Sequence, residues 1–172
     1  MEGHDPNQSD ILAQSYSEMR RMARRILAGN SLGRALQPTE LANEAAIRLL
    51  RANLANAQNE SHLLAIAART MRQILVDEAR KAASAKRNAP VLLTAWPGAP
   101  DDQLVDLADL DEALLALFEL SPDRARIVEL RFMLGMTVEE TARVTGIPER
   151  TVKRNWQAAR AWPLAWLSDH GR

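Results

Sequence analysis

The chain has 172 residues, 47% hydrophobic and 26% charged, with 22 basic and 22 acidic side chains and a formal net charge of zero. That mixture excludes wholesale disorder and bounds the chain to one or two small domains. No cysteine is present, which excludes disulfides, thiolate metal sites and cysteine nucleophiles and fits a reducing, cytoplasmic setting.

The apolar spacing is helical throughout, and nothing reads as a sheet. Ser9 or Asp10 can cap a first helix that ends near Ala28, with Gly29 as its stop signal and Arg20, Arg21, Arg24 and Arg25 along it. Thr39 can cap a second helix reaching about Arg51, and Asn59 or Ser61 can open a third. In that third helix Leu63, Ile66, Ala67, Met71, Ile74 and Leu75 repeat at helical spacing and form one buried face, leaving Arg69, Arg72, Gln73 and Arg80 mostly off it. From about Ala83 to Gln103 the periodicity fails among Pro90, Pro97, Gly98 and Pro100, as in a linker.

Beyond the linker, Leu110–Leu120 reads as a helix. Ser121-Pro122 then opens another that reaches Leu134 and stops at Gly135. Thr137 with Glu140 three residues on forms a capping box for Val138–Val144. Gly146 makes a turn and Pro148 opens a last helix, which Pro163 is expected to interrupt, leaving Leu164–Leu167 as a short extra turn. An apolar run as long as any in the chain, Ala113–Phe118, is far short of a membrane span, and the acidic Met-Glu-Gly-His-Asp-Pro start does not suggest a secretory signal.

Net neutrality hides an uneven charge pattern. Arg69–Arg87 holds six bases against two acids, Asp101–Asp123 holds eight acids and no base, and Arg143–Arg160 holds five bases against one acid. Basic runs on folded elements are candidate phosphate contacts, although each alone can be a solvated face. The acidic stretch could be a solvated connection, or it could compete with DNA for the basic surfaces.

Thr137–Trp162 carries the most chemical information. A short helix, a tight turn and a second helix fit a helix-turn-helix. Ala142 is small where two helices must approach, Gly146 permits a positive φ, and Val152 points back into a wedge with Ile147 and Trp156. The outward face is then Glu149, Arg150, Lys153, Arg154 and Gln157, with Thr151 beside it and Arg160 beyond. A helix fills the DNA major groove, and Arg, Lys and Gln read base edges or hold phosphates there.

Together with its neighbours this segment makes the chain resemble the extracytoplasmic-function (ECF, group IV) RNA polymerase sigma factors over nearly its whole length. The run from Gln37 to Leu49 is similar to the family's segment that docks on the polymerase clamp helices. The run from Leu64 to Asp77 is similar to the part that opens and reads the −10 element, and Ser121–Arg154 to the −35-binding domain. The resemblance implies an all-α fold of two small helical domains, a sigma domain 2-like unit over 1–86 and a sigma domain 4-like unit over 107–172, joined by a flexible linker over 87–106. It implies an alternative sigma factor, not an enzyme, that binds core RNA polymerase through its clamp helices and flap and directs initiation at promoter DNA. Glu40, Asn43, Glu44 and Arg48 would bind core polymerase. Arg69, Arg72, Gln73, Arg80 and Lys81 would contact the −10 element, and Glu149, Arg150, Thr151, Lys153, Arg154 and Gln157 the −35 element. Only Tyr16 is aromatic in the first unit, so strand capture would rest on pockets and polar contacts rather than stacking.

One departure from the family pattern stands out. The clamp-binding helix of the family begins with a strongly acidic run, whereas Gln37, Pro38, Thr39 and Glu40 stand here. Phosphorylation of Thr39 would add about −1.5 to −2 charge at a helix N-terminus, so a Ser/Thr kinase is an expected regulator, with an anti-sigma factor as the alternative. If Thr39 is instead only a helix cap, Glu40, Asn43 and Glu44 suffice without it. The stretches Leu36–Thr39 and Arg72–Asp77 further resemble a distinct branch of the family, in which an acid is often seen where Asn155 stands.

Enzymatic and metal readings find little support. His4, His62 and His170 are not at ligand spacing, and no glycine-rich phosphate loop occurs, so neither metal nor cofactor is expected. Glu40 and Glu44 share a helix face but have no His partners. The main alternative is a stand-alone helix-turn-helix repressor or activator, which would need a dimer surface for symmetric half-sites; a protein-interaction adaptor is a third. Packing of the two halves against each other would hide the DNA-binding faces, a point the sequence leaves open.

Overall fold

A computed structural model describes residues 6–28, 36–52, 57, 59–85, 93–96 and 104–170. His4, Gly29, Lys86, Arg87, Pro90, Pro97, Gly98, Pro100 and the acids Asp101 and Asp102 lie outside the described residues. Among the described residues seven α-helices dominate: α1 (Pro6–Ala28), α2 (Pro38–Arg51), α3 (Glu60–Ala85), α4 (Leu107–Leu120), α5 (Pro122–Val128), α6 (Val138–Thr145) and α7 (Glu149–His170). The fold is all-α in character.

Helices α1, α2 and α3 pack on one another, and α4, α5, α6 and α7 form a second group. Asn59 begins α3: its Oδ1 accepts from the His62 backbone N–H at 2.9 Å. Asp106 caps α4 by accepting from the Ala108 N–H at 2.7 Å. The cap of α2 differs from expectation. Gln37 holds the cap position, Pro38 and Thr39 are already helical, and the Glu40 carboxylate accepts from the Gln37 N–H at 2.8 Å. Proline fits the first helical position, where no N–H is needed, and this puts Thr39 at the second residue of the helix instead of at its cap.

Two expectations fail within the connection and the last helix. Leu93–Ala95 (β1) and Leu104–Asp106 (β2) pair antiparallel, with Thr94 opposite Val105, so a small two-stranded ribbon lies where only linker was expected. Trp96, just after β1, is buried, and its Nε1–H donates to the Arg160 carbonyl at 2.8 Å. Its ring meets Phe132 edge-on at 4.7 Å and lies 6.4 Å from Trp156. Burying a large indole with its one donor satisfied offsets the entropy of ordering the ribbon. Pro163 does not interrupt α7, which runs unbroken to His170. Trp162, Trp166 and His170 follow at four-residue spacing, with successive rings 6.3 and 4.5 Å apart, and Pro163 itself is buried.

The buried cluster is continuous from α1–α3 into α4, α5 and α7. This explains why α3 buries more than the single face expected. Leu63, Ala67, Met71, Ile74 and Leu75 are buried as expected and Ile66 is half-buried, while Leu64, Ala65, Ala68, Thr70, Arg72 and Val76 are buried as well. The second helical group covers the face that the first leaves open. After α5 the chain widens into a π-helical turn over Glu129–Met133, where the Leu134 N–H reaches the Glu129 carbonyl at 3.3 Å.

Candidate nucleic-acid and polymerase interfaces

The helix-turn-helix is built from its caps upward. The Thr137 N–H donates to Glu140 Oε2 at 2.7 Å, and the Glu140 N–H donates back to Thr137 Oγ1 at 3.1 Å, closing the capping box. These bonds hold the Glu140 carboxyl below the usual carboxylate range, the backbone N–H of Thr137 contributing most. At the other end of α6, Gly146 adopts φ +70° and its N–H donates to the Ala142 carbonyl at 2.9 Å. A left-handed residue at this position ends the helix and redirects the chain. The Thr151 and Val152 N–H groups bond the Pro148 carbonyl at 2.8 and 3.0 Å and start α7.

Val152 is fully buried, while Ile147 and Trp156 are half-buried beside it. The Arg131 guanidinium sits 5.0 Å from the centre of the Trp156 ring. With that wedge fixed, Glu149, Arg150, Lys153, Arg154 and Gln157 are exposed on α7, and Thr151 is half-buried. Lys153 Nζ lies 3.9 Å from Glu149, one turn before it on α7. The face therefore presents three cations and an amide on a helix 22 residues long, a shape and chemistry suited to a groove lined with phosphates.

On α2, Glu40 and Asn43 are exposed, and Glu44 and Arg48 are half-buried. Asn43 Oδ1 accepts from the Tyr16 hydroxyl. Arg48 donates to Glu44 at 2.9 Å and to Asp77 of α3 at 3.1 Å. These partners, Glu44 first, push its pKa above the ordinary arginine value. Thr39 is exposed at the start of the helix. Sequence reasoning passed over Ile47 and Leu50, which are 41% and 39% exposed. They extend the row of Glu40 and Asn43 along α2 at helical spacing. The available signal was their position off the buried set Leu41, Ala42, Ala45 and Leu49.

The α3 residues fare differently. Arg80 and Lys81 are exposed, with Lys81 bonded to Glu78 at 2.8 Å. Gln73 and Arg69 are half-buried, and the Arg69 guanidinium lies 4.4 Å from the centre of the Phe118 ring of α4. Arg72, expected to face DNA, does not: it is 1% exposed and donates to Asp111 at 2.6 Å and to the two oxygens of Glu129 at 2.7 and 2.9 Å. Periodicity placed Arg72 off the core of the first helical group, and there it is covered by the second. Burial pushes the Glu129 carboxyl up against the opposing pull of Arg72. Sequence reasoning missed Asp111 and Glu129 as partners, although it singled out the acidic stretch containing Asp111.

Beside this contact a groove of about 600 Å³ opens between α3 and α4–α5, lined among others by His62, Arg69, Gln73, Phe118 and Arg126. His62 is held below the ordinary histidine value by burial and then by the Arg126 charge. Among the described residues no group of three His, Asp or Glu side chains could hold a metal ion. No described helix is long and apolar enough to cross a membrane.

No curated protein and no solved structure matches the chain. A family model described as ECF sigma factor matches residues 1–169, and so the chain belongs to the ECF sigma factor family, non-enzymatic proteins of transcription initiation.

Proposed function

We propose that the chain is an alternative sigma factor in which residues 1–86 hold core RNA polymerase and read the −10 element. Residues 87–106 connect, and 107–172 read the −35 element and meet the polymerase flap. The observation that carries this reading is the exposed row of Arg150, Lys153, Arg154 and Gln157 on α7, held by a capped helix-turn-helix. Residues Glu40, Asn43, Glu44 and Arg48, extended by Ile47 and Leu50, would dock on the clamp helices. The exposed apolar pair adds burial to a contact otherwise made by few charges.

Thr39 is the candidate switch in this reading. It is exposed at the second residue of α2, behind a proline, where a phosphate would be favoured by the helix dipole and restore negative charge. A Ser/Thr kinase would then be the regulator; an anti-sigma factor acting on the same chain is the other route. Run-off transcription with core polymerase, with and without the chain, tests the main proposal. Failure to associate with core polymerase or to redirect initiation refutes it, and autonomous binding to symmetric duplex sites would favour a stand-alone repressor or activator. Thr39→Ala and Thr39→Asp in the same assay test the switch, and equal activity of the two removes it.

A further inference from the structure

The second helical group meets α3 through its acids. Asp111 of α4 and Glu129 of the π-turn both pair with Arg72. Glu112 lies 3.8 Å from Arg80, and Phe118 covers Arg69. Three of the five α3 side chains assigned above to the −10 element therefore have partners on α4 or α5. A second line of contacts closes the same seam: Arg126 Nη2 donates to Ser61 Oγ at 3.0 Å, and Arg25 donates to the Leu134 carbonyl.

We propose that this packing is an autoinhibited state, in which the carboxylates of Asp111, Glu112 and Glu129 occupy the places on α3 that promoter phosphates and bases would take. The proposal rests on the sigma-factor reading. Its geometry is a mutual exclusion. Arg72 cannot reach a nucleic acid without leaving two carboxylates, and the carboxylates cannot stay while phosphate approaches, because like charges repel across a poorly screened seam. The α7 face lies outside the seam and stays exposed. The device thus silences −10 contacts selectively, and docking of the first helical group on core polymerase would have to be accompanied by separation of the two groups. A chain that binds only when open has its apparent affinity reduced by the open fraction.

The test combines one double variant with one measurement on the unmodified chain. Asp111→Asn with Glu129→Gln keeps the shapes and removes the charges that hold Arg72. Glu119→Gln with Glu139→Gln makes the same charge change at two exposed positions and serves as the control. The probes are fluorescein-labelled mixed-sequence single-stranded DNA and mixed-sequence duplex. The interface variant is expected to show a larger radius of gyration in solution scattering and roughly tenfold or more tighter single-strand binding than the control, with duplex binding matching it. A compact variant, or an opened one with no gain over the control, overturns the proposal. If the variant fails to fold by circular dichroism, carbodiimide labelling of the unmodified chain decides. Asp111 and Glu129 should label slowly in the free chain and at the rate of Glu119 in the holoenzyme with core polymerase. Equal protection in both states overturns the lock. Absence of transcription by the unmodified holoenzyme would instead refute the sigma-factor reading, so the two failures are separable.

Discussion

Replacing Arg72 by methionine isolates the energetics of the seam. The guanidinium is 1% exposed and holds two carboxylates that are themselves only 8% and 9% exposed. Removing one partner from such a buried group strands the remaining charges and costs about 3–5 kcal/mol. The chain has a way to limit that cost, because separating the two helical groups returns Asp111 and Glu129 to water. The variant is therefore expected to open before it unfolds, its opening equilibrium shifting by ~100-fold or more, given one decade per ~1.4 kcal/mol. Solution scattering reads the expansion, and urea unfolding followed by far-ultraviolet circular dichroism reads the stability. The triple variant Arg72→Met, Asp111→Leu, Glu129→Met replaces the charges with apolar side chains of similar size. It should recover compactness, since a buried ion cluster is often matched by well-packed hydrocarbon. An Arg72→Met chain as compact and as stable as the parent would refute the reasoning. So would a triple variant as open as the single one.

Further outcomes follow from the helix-turn-helix. Thr137→Ala should lose about 1 kcal/mol of stability through its cap. Gly146→Ala should lose about 1–2 kcal/mol through its left-handed backbone alone, since nothing lies within 4 Å of an added Cβ; thermal unfolding measures both. Lys153→Ala or Arg154→Ala should weaken duplex binding and lower the slope of log affinity against log salt by about one each, checked by titrations at several salt concentrations. The depressed Glu140 pKa sets a pH dependence at the start of α6. The carboxylate's contribution is present above the ordinary carboxylate pKa and disappears as pH falls through the lower folded value. Nuclear magnetic resonance should find its midpoint below 4.5, and Thr137→Ala should move it upward.

Local order was legible because it depends on neighbours in sequence. Thr137 and Glu140 announce their capping box, Gly146 its positive φ, and the spacing of Leu63, Ala67, Met71, Ile74 and Leu75 its buried stripe, since each needs only a few adjacent residues to be decided. The same locality explains the small errors. Thr39 has a good cap side chain, but proline at 38 claims the first helical position and leaves the cap to Gln37. Pro163 has the sequence of a helix breaker, yet it sits buried within an unbroken helix whose neighbours hold it in place.

What only the tertiary structure decided lies between segments distant in sequence. Trp96 finds its partners at Phe132, Trp156 and the Arg160 carbonyl, and that packing orders a ribbon no local propensity foretells. Arg72 reads as a solvent- or DNA-facing cation because periodicity counts only the helix's own core. Its fate is set by Asp111 and Glu129, 39 and 57 residues away. Hydrophobic spacing fixes which face of a helix turns inward. Which charges meet across two packed groups depends on how those groups dock, and a buried ion cluster acquires its meaning only there.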